Sequence, residues 1–294
     1  MNNLFCFGLG YSAGVVASRL GPRGWRITGT STREDGASRI AARGYTGLVF
    51  DGMSASASAA AELQRATHVL LSIPPSADGD PAFLRHGRDI AESSSITWIG
   101  YFSTVGVYGD AEGGWVDEET EARPASERGK RRLAAEQHWL KLAQDSGKSA
   151  AVFRLPGIYG PGRCALDDVR GGTARAIIKP GQVFNRIHVE DIASAVIAAI
   201  KRSHPGRVYN VTDDEPGPPQ DVVNFAARLL SRPPPSSLDF ATAELSPMAR
   251  GFYSENKRVA NARMKTELGI RLKYPNYRDG LTAILRSASP IIPK

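Results

Sequence analysis

The chain has 294 residues, of which 41% are hydrophobic and 23% are charged, with 30 glycines and 19 prolines. This composition is ordinary for a globular protein and excludes the disordered, collagen-like and membrane-embedded classes. The net charge of +7 raises the question of a nucleic-acid partner. Because the arginines are scattered and no aromatic residues are interleaved with them, we expect anionic small ligands and no nucleic acid.

The two cysteines, Cys6 and Cys164, lie far apart in the sequence, and Cys6 falls inside an apolar run. This usage suggests no disulfide framework and favours a reducing compartment. The N-terminus lacks a charged segment followed by a long apolar stretch, and no run approaches the roughly 18 apolar residues that span a bilayer. We expect a cytoplasmic protein with no membrane partner, and no metal, since His68, His138 and His188 lack metal-ligand spacing.

Short apolar runs alternate with helical stretches over the first two thirds of the chain. Strands are predicted at Leu4–Phe7, Trp25–Thr30, Leu48–Phe50, Val69–Ile73, Ile96–Phe102 and Ala151–Leu155. Helices are predicted between them at Ala13–Leu20, Ala37–Arg43, Ala55–Arg65, Pro81–Ser93 and Arg128–Leu142. The alternation predicts an α/β fold with a doubly wound, Rossmann-type parallel sheet.

After Pro156 the pattern changes to loops rich in proline and glycine. Regular elements are predicted there as a helix at Asp191–Lys201, a strand at Val208–Val211 and a helix at Gln220–Leu230. The proline-rich stretch Arg232–Ser237 is typical of a stiff linker or surface loop. We predict a Rossmann core over residues 1–160 and a smaller C-terminal substrate lobe over 161–294, with 182–212 returning to the core.

The loop Gly8-Leu9-Gly10-Tyr11-Ser12-Ala13 follows the first predicted strand and opens a helix. In such a loop the first glycine makes a tight turn, and the second lets a pyrophosphate approach backbone N–H groups. The small residue at Ala13 lets the helix pack on the strand. The pattern predicts dinucleotide binding by Gly8, Gly10, Tyr11, Ser12 and Ala13.

The end of the second predicted strand, Gly29-Thr30-Ser31-Thr32-Arg33, has no acid until Glu34. An acid at this place holds the ribose 2′-hydroxyl of NAD, whereas hydroxyls and an arginine suit a 2′-phosphate. Thr30, Ser31 and Arg33 therefore favour NADP over NAD, unless Arg33 is a solvated loop residue. Asp51 either holds the adenine or begins the next turn, and Ser72 and Pro156 complete the predicted cofactor-binding set.

Four later segments share a pattern with one superfamily. They are Phe102-Ser-Thr-Val-Gly-Val-Tyr-Gly109, Arg154-Leu-Pro-Gly-Ile-Tyr-Gly-Pro-Gly-Arg163, Ile187-His-Val-Glu-Asp-Ile192 and Gly206-Arg-Val-Tyr-Asn-Val211. With the glycine loop they resemble the extended short-chain dehydrogenase/reductases, in the NAD-dependent epimerase/dehydratase group. The resemblance extends from residue 4 to about residue 212, and a weaker similarity is found at Asn256–Gly269. It implies a catalytic Ser/Thr, Tyr and Lys, where the Tyr is the general acid/base and the Lys lowers its pKa.

In this resemblance the catalytic positions are only partly kept. Thr104 falls on the Ser/Thr position, although a strand-end hydroxyl also caps turns. Arg128 and Arg132 fall on the Tyr and Lys positions, and a guanidinium cannot relay a proton near neutral pH. Asp80 falls near an upstream Asn of the family and equally suits a helix N-cap before Pro81.

The helix that begins near Arg128 places this arginine and Arg132 at positions i and i+4. One face could then grip an anionic substrate or a cofactor phosphate, or else form a solvated face balanced by Asp117, Glu118, Glu119 and Glu121. Tyr159 is predicted to bind substrate. Tyr108 and Asp80 are predicted, beside Thr104, as further catalytic groups.

Two functions stay open at this point. The first is an NADP(H)-dependent oxidoreductase or epimerase-like enzyme acting on a small, anionic carbonyl or sugar-type substrate with an unconventional proton donor. The second is an NADP(H)-binding sensor or regulatory protein without turnover, which the loss of Tyr and Lys supports. The retained Thr104 segment favours the enzyme. The expected partners are a small-molecule substrate and, as an option, a second copy in a homodimer.

Overall fold

The computed structural model describes residues 1–202 and 204–288. Within these residues the strands are β1 (Asn3–Phe7), β2 (Arg26–Ser31), β3 (Thr46–Val49), β4 (His68–Leu71), β5 (Trp98–Thr104), β6 (Trp115–Val116), β7 (Ser149–Leu155), β8 (Gly157–Tyr159), β9 (Ala176–Ile178), β10 (Arg186–His188), β11 (Arg207–Asn210), β12 (Ser237–Asp239) and β13 (Arg258–Val259). The helices are α1 (Tyr11–Leu20), α2 (Glu34–Ala41), α3 (Ala57–Leu63), α4 (Pro81–Glu92), α5 (Glu127–Asp145), α6 (Ala165–Arg170), α7 (Val189–Arg202), α8 (Pro219–Leu229), α9 (Pro247–Phe252), α10 (Ala262–Glu267) and α11 (Tyr277–Ala288). None of the helices in the described ranges has the length and apolar character needed to cross a bilayer.

A parallel sheet forms the centre of the molecule, and its strand order in the described residues is β11-β7-β5-β4-β1-β2-β3. β1 pairs with β2 on one side, where Phe5 lies opposite Thr28, and with β4 on the other, where Phe5 lies opposite Val69. Chain order therefore reverses between β1 and β4, which makes this the switch point where open α/β sheets bind ligands. The predicted α/β fold with a doubly wound, Rossmann-type sheet is confirmed.

The side chains of each strand alternate between the two faces of the sheet, and helices pack on both faces. In β1, Leu4 and Cys6 join the apolar cluster that contains α1 and α7 residues. Phe5 and Phe7 point to the opposite cluster, which contains residues of α3, α4 and α5. Two helical layers therefore cover the sheet.

The C-terminal part of the chain adds short parallel pairs beside the sheet. β8 pairs with β10, β9 with β12, and β6 with β13. α6, α8 and α11 enclose an apolar cluster that includes Leu166, Ala226 and Leu281. β11 joins the central sheet as its edge strand, next to β7. The predicted division at residue 160 stays a prediction.

Candidate functional site

Loops that follow the parallel strands collect at the carboxyl edge of the sheet. Gly8 follows β1, and a left-handed backbone (φ +81°) turns the chain there. A Cβ atom at Gly8 would stand 2.6 Å from Cγ2 of Ile73, which follows β4. The Gly8 N–H donates to Oγ1 of the buried Thr30 at 2.9 Å. The turn thus depends on glycine for both its conformation and its space.

The N-terminus of α1 is open. Gly10 is its N-cap residue and makes no side-chain cap, and the first turn holds no acidic residue. A Cβ atom at Gly10 would meet nothing within 4 Å. Ser12 and Ala13 are buried and anchor the helix. The positive end of the helix dipole therefore faces space that an anion can fill.

A cleft of about 720 Å³ lies over this helix end. Its walls include the glycine loop from Gly8 to Tyr11, the strand end from Thr30 to Thr32, and Arg39 and Arg43. This volume is within the range of cofactor pockets. The turn at Gly8, the bare helix end and the basic wall together fit the diphosphate of a dinucleotide.

The residues after β2 form a small charged cluster. Arg33 has a side chain 77% exposed, with Nε 3.3 Å from Oδ1 of Asp35. Arg39 donates to the other carboxylate oxygen of Asp35 at 2.7 Å, and this hydrogen bond lowers the pKa of Asp35. Arg43 donates to the Gly14 carbonyl at 3.0 Å. The guanidiniums of Arg33 and Arg39 thus share the Asp35 carboxylate.

Sequence reasoning selected Arg33 here and missed Arg39 and Arg43. The signal for Arg39 was its position four residues after Asp35 on one helix. Arg43 lies beyond the end of α2, and its contact with Gly14 of α1 joins residues 29 apart.

The other predicted cofactor residues are at the same edge or just beyond it. Ser72 follows β4, and its N–H donates to the Phe7 carbonyl at 2.9 Å. Pro156 follows β7 and is half-buried. Asp51 is exposed, and its carboxylate accepts from the Met53 N–H at 2.8 Å, so it begins the turn that follows β3. Contact of these residues with a cofactor stays a prediction.

Thr104 ends β5 at the carboxyl edge. Its Oγ1 accepts from the Gly106 N–H at 3.1 Å and caps the short 3₁₀ turn Val105–Tyr108. The hydroxyl proton is not used in that bond. Thr104 therefore caps the turn through its oxygen, and its O–H group can still donate to a ligand.

Arg128 and Arg132 have different surroundings although they lie on one face of α5. Arg128 is exposed in the first turn. Arg132 is 9% exposed, and its Nη1 donates to the Phe102 carbonyl at 2.6 Å and to the Tyr101 hydroxyl at 3.2 Å. Arg132 thus ties α5 to the end of β5. Binding of one anion by both Arg128 and Arg132 stays a prediction. In the structure Arg132 instead binds groups of β5.

Known proteins share sequence and fold with this chain. The sequence model of the NAD dependent epimerase/dehydratase family matches residues 89–212. A conserved protein of unknown function from Silicibacter pomeroyi is 49% identical, with a TM-score of 0.89, over 99% of this chain and all of that one. Protein YeeZ of Escherichia coli K12 is 29% identical over 94% of this chain and 97% of its own. A Streptomyces 3-diazoavenalumate denitrifying reductase is 32% identical over 48% of this chain and 49% of its own.

The match over residues 89–212 supports the resemblance of this chain to the extended short-chain dehydrogenase/reductase superfamily. The family match begins within α4 and ends just after β11, so it includes Thr104, Arg128 and Arg132. Within this superfamily the chain departs from the pattern at the two arginine positions. The match supports, as a general class, an NAD-dependent epimerase/dehydratase-family oxidoreductase with a nicotinamide cofactor.

The three other titratable groups predicted near the superfamily's catalytic site are engaged inside the protein. The Tyr108 hydroxyl is buried and donates to Oδ1 of Asn210 at 2.8 Å. The Tyr159 hydroxyl donates to the Asn276 carbonyl at 3.3 Å. Burial is the main cause that raises the pKa of both tyrosines, so neither releases its proton readily.

Asp80 is the N-cap of α4, as its alternative interpretation held. One carboxylate oxygen accepts from the Phe83 N–H at 3.1 Å, and the other accepts from Nε1 of Trp139 at 3.3 Å. Asp80 is 2% exposed, and burial raises its pKa. Helix capping therefore accounts for the position of the Asp80 side chain. A catalytic role of Asp80 stays a prediction that these contacts do not support.

Proposed function

We propose that this protein is an NADP(H)-dependent oxidoreductase that acts on a small anionic carbonyl or sugar-type substrate. The observation that carries the proposal is the cleft over the bare end of α1, with Arg39 and Arg43 among its lining residues. Sequence similarity to a protein named as a reductase supports reduction as the direction of the chemistry.

The preference for NADP(H) over NAD(H) is argued from the charge around the end of β2. Two acids, Glu34 and Asp35, follow this strand, and the Asp35 carboxylate is already bound by two guanidiniums, of Arg33 and Arg39. Arg43 adds a third positive charge to the cleft wall. A 2′-phosphate would meet net positive charge there, which favours charge-assisted hydrogen bonds.

On the substrate side, the proposal gives Thr104 and Arg132 distinct roles. The nicotinamide, when bound, supplies the hydride. Thr104 has a free hydroxyl proton at the end of β5 and would donate it as a hydrogen bond to a substrate oxygen. Arg132 fixes the Phe102 carbonyl and thereby the end of β5. Neither Arg128 nor Arg132 gives up a proton near neutral pH, so the proton that reduction adds to the substrate oxygen would come from water.

The anionic character of the substrate is argued from Arg128. This side chain is exposed at the start of α5 and makes no ion pair of 4.0 Å or shorter within the described residues. Its neighbour Lys130, in contrast, pairs with Glu127 at 2.7 Å. An unpaired guanidinium next to the carboxyl edge suits a carboxylate or phosphate.

The test is a titration of the purified protein with NADPH and with NADH, followed by cofactor fluorescence. We expect NADPH to bind at least about tenfold more tightly, a difference of about 1.4 kcal/mol. Arg39→Ala should reduce this ratio, whereas Arg88→Ala, which removes an arginine that is 87% exposed on α4, should leave it unchanged. Tighter binding of NADH would contradict the proposed cofactor.

Turnover is tested with carboxylated aldehydes, ketones and nucleotide sugars in the presence of NADPH. Oxidation of NADPH by any of them, lost in Thr104→Val, would support the enzyme.

A second function, a sensor that binds NADP(H) without turnover, is favoured by the engaged hydroxyls of Tyr108 and Tyr159. Tight NADPH binding without oxidation by any compound would support the sensor. A homodimeric state, a cytoplasmic location and the absence of a metal stay predictions.

A further inference from the structure

Tyr11 links the glycine loop to the segment that follows β8. It is the first residue of α1 and lines the cleft. Its hydroxyl donates to the Pro161 carbonyl at 3.1 Å, across 150 residues of sequence. The glycine loop is therefore in direct contact with the segment that follows β8.

That segment is a closed turn. The Gly160 N–H donates to the Arg163 carbonyl at 3.1 Å, and the Arg163 N–H donates to the Gly160 carbonyl at 3.0 Å. Gly162 is left-handed, with φ +73°. A Cβ atom at Gly160 would stand 2.7 Å from Cγ1 of Val189 and would also collide with the Tyr11 hydroxyl. The turn thus holds Arg163 in a defined place beside Tyr11.

The Arg163 side chain is exposed, and its Cζ lies 5.7 Å from the centre of the Tyr11 ring. Within the described part of the chain it makes no ion pair of 4.0 Å or shorter, while nearby Arg170 pairs with Asp167 at 3.6 Å. Stacking on an aromatic face orients a guanidinium and leaves its N–H groups available. Arg163 is thus an oriented positive charge without a carboxylate partner, next to the first residue of α1.

We propose that Arg163 is a phosphate ligand for the dinucleotide, supplied by the segment after β8 and positioned by Tyr11. The inference rests on the proposed cofactor binding and adds a residue that the glycine loop does not contain. The bare end of α1 supplies backbone N–H groups to the diphosphate, and Arg163, stacked on the Tyr11 ring, supplies a charged donor. Occupancy of the site then fixes residues 160–163 against α1.

The first test compares Arg163→Ala with Arg65→Ala in titrations with NADPH and NADH. Both positions are exposed arginines, but Arg65 precedes β4 and lies at the opposite, amino edge of the sheet. We expect Arg163→Ala to weaken both cofactors about equally, by about tenfold, because the diphosphate is common to them. Arg65→Ala should change neither. Equal affinities for the wild type and Arg163→Ala would overturn the inference.

The second test uses hydrogen exchange of the Gly160 and Arg163 amides as a readout that does not involve activity. NADPH should slow their exchange in the wild type and much less in Arg163→Ala. Tyr11→Phe keeps the ring under the guanidinium and should retain most of the affinity, whereas Tyr11→Ala should lose as much as Arg163→Ala. Unchanged exchange in the wild type with bound NADPH would overturn the inference alone. Failure of the wild type to bind either cofactor would overturn the proposed function, and this inference with it.

Discussion

Single residues at the carboxyl edge show how much of the site depends on backbone shape. Gly8 and Gly24 have nearly the same left-handed φ, +81° and +80°. A Cβ atom at Gly8 would collide with the Ile73 side chain, whereas a Cβ atom at Gly24 would have nothing within 4 Å. The two glycines therefore separate the effect of conformation from the effect of crowding.

Gly8→Ala is expected to lose more stability than Gly24→Ala. Both variants carry the left-handed penalty of about 1–2 kcal/mol, and only the first must also displace Ile73. We expect a further loss of about 1–2 kcal/mol from that overpacking. Chemical denaturation measures the difference, and NADPH titration should show lost affinity in Gly8→Ala alone. Equal losses in the two variants would contradict the role given to Ile73.

The turn at Gly8 and the helix that begins after Gly10 could be predicted because both depend on local sequence, while dinucleotide binding by this loop stays a prediction. Arg39 and Arg43 escaped prediction because their place in the cleft depends on how α2 and the residues after it lie against α1. The partner of the Tyr108 hydroxyl, Asn210, is 102 residues away in the chain, and no local pattern indicates it. Long-range contacts thus account for the part of the site that pattern reasoning did not find.

Elements were predicted by type more accurately than by their ends. α2 begins at Glu34 and not at the predicted Ala37, so Gly36 lies inside the helix. A Cβ at Gly36 would collide with the Ser31 side chain, so this glycine permits close packing of α2 on β2. The pairs β6–β13 and β9–β12 are only two and three residues long, too short to show an alternating pattern.

The packing of α5 on the sheet contains a buried ion pair. Nε and Nη2 of Arg154 in β7 donate to the Glu136 carboxylate, with the shortest distance 2.8 Å, and both side chains are less than 10% exposed. The Tyr108 ring lies 4.8 Å from the guanidinium and closes the other side. The pair joins α5, β7 and the turn after β5.

Glu136→Gln is expected to destabilise the protein by about 3–5 kcal/mol, because it leaves the Arg154 guanidinium buried without a countercharge. Asp145→Asn is the matched control, since it breaks the exposed pair of Lys141 and Asp145 on the same helix and should cost less than about 0.5 kcal/mol. Urea unfolding of the two variants measures both values. Similar losses for the two would contradict the assignment of Glu136 as the countercharge.

At the scale of the whole molecule, the C-terminal part holds an unusual buried carboxyl group. Asp213 is 3% exposed, follows β11, and its Oδ2 atom has no hydrogen-bond partner within the described residues. Oδ1 accepts from the Glu215 N–H at 3.3 Å. Burial raises the pKa of Asp213 from 3.8 to about 8, and the nearby Arg186 opposes this only in part. The folded protein therefore holds a proton on Asp213 at neutral pH.

This proton makes the free energy of unfolding depend on pH. Between about pH 4 and pH 8 the folded state binds the Asp213 proton and the unfolded state has released it, so stability falls as the pH rises and levels off above about 8. Asp213→Asn removes this dependence and should be more stable than the wild type at pH 8–9 by at least about 1 kcal/mol, with no such gain near pH 4. Asp78→Asn, at an exposed loop position, should follow the wild type at every pH. Denaturation curves from pH 4 to pH 9 measure the difference, and a gap between wild type and Asp213→Asn that does not grow with pH would show that the folded carboxyl is already ionised.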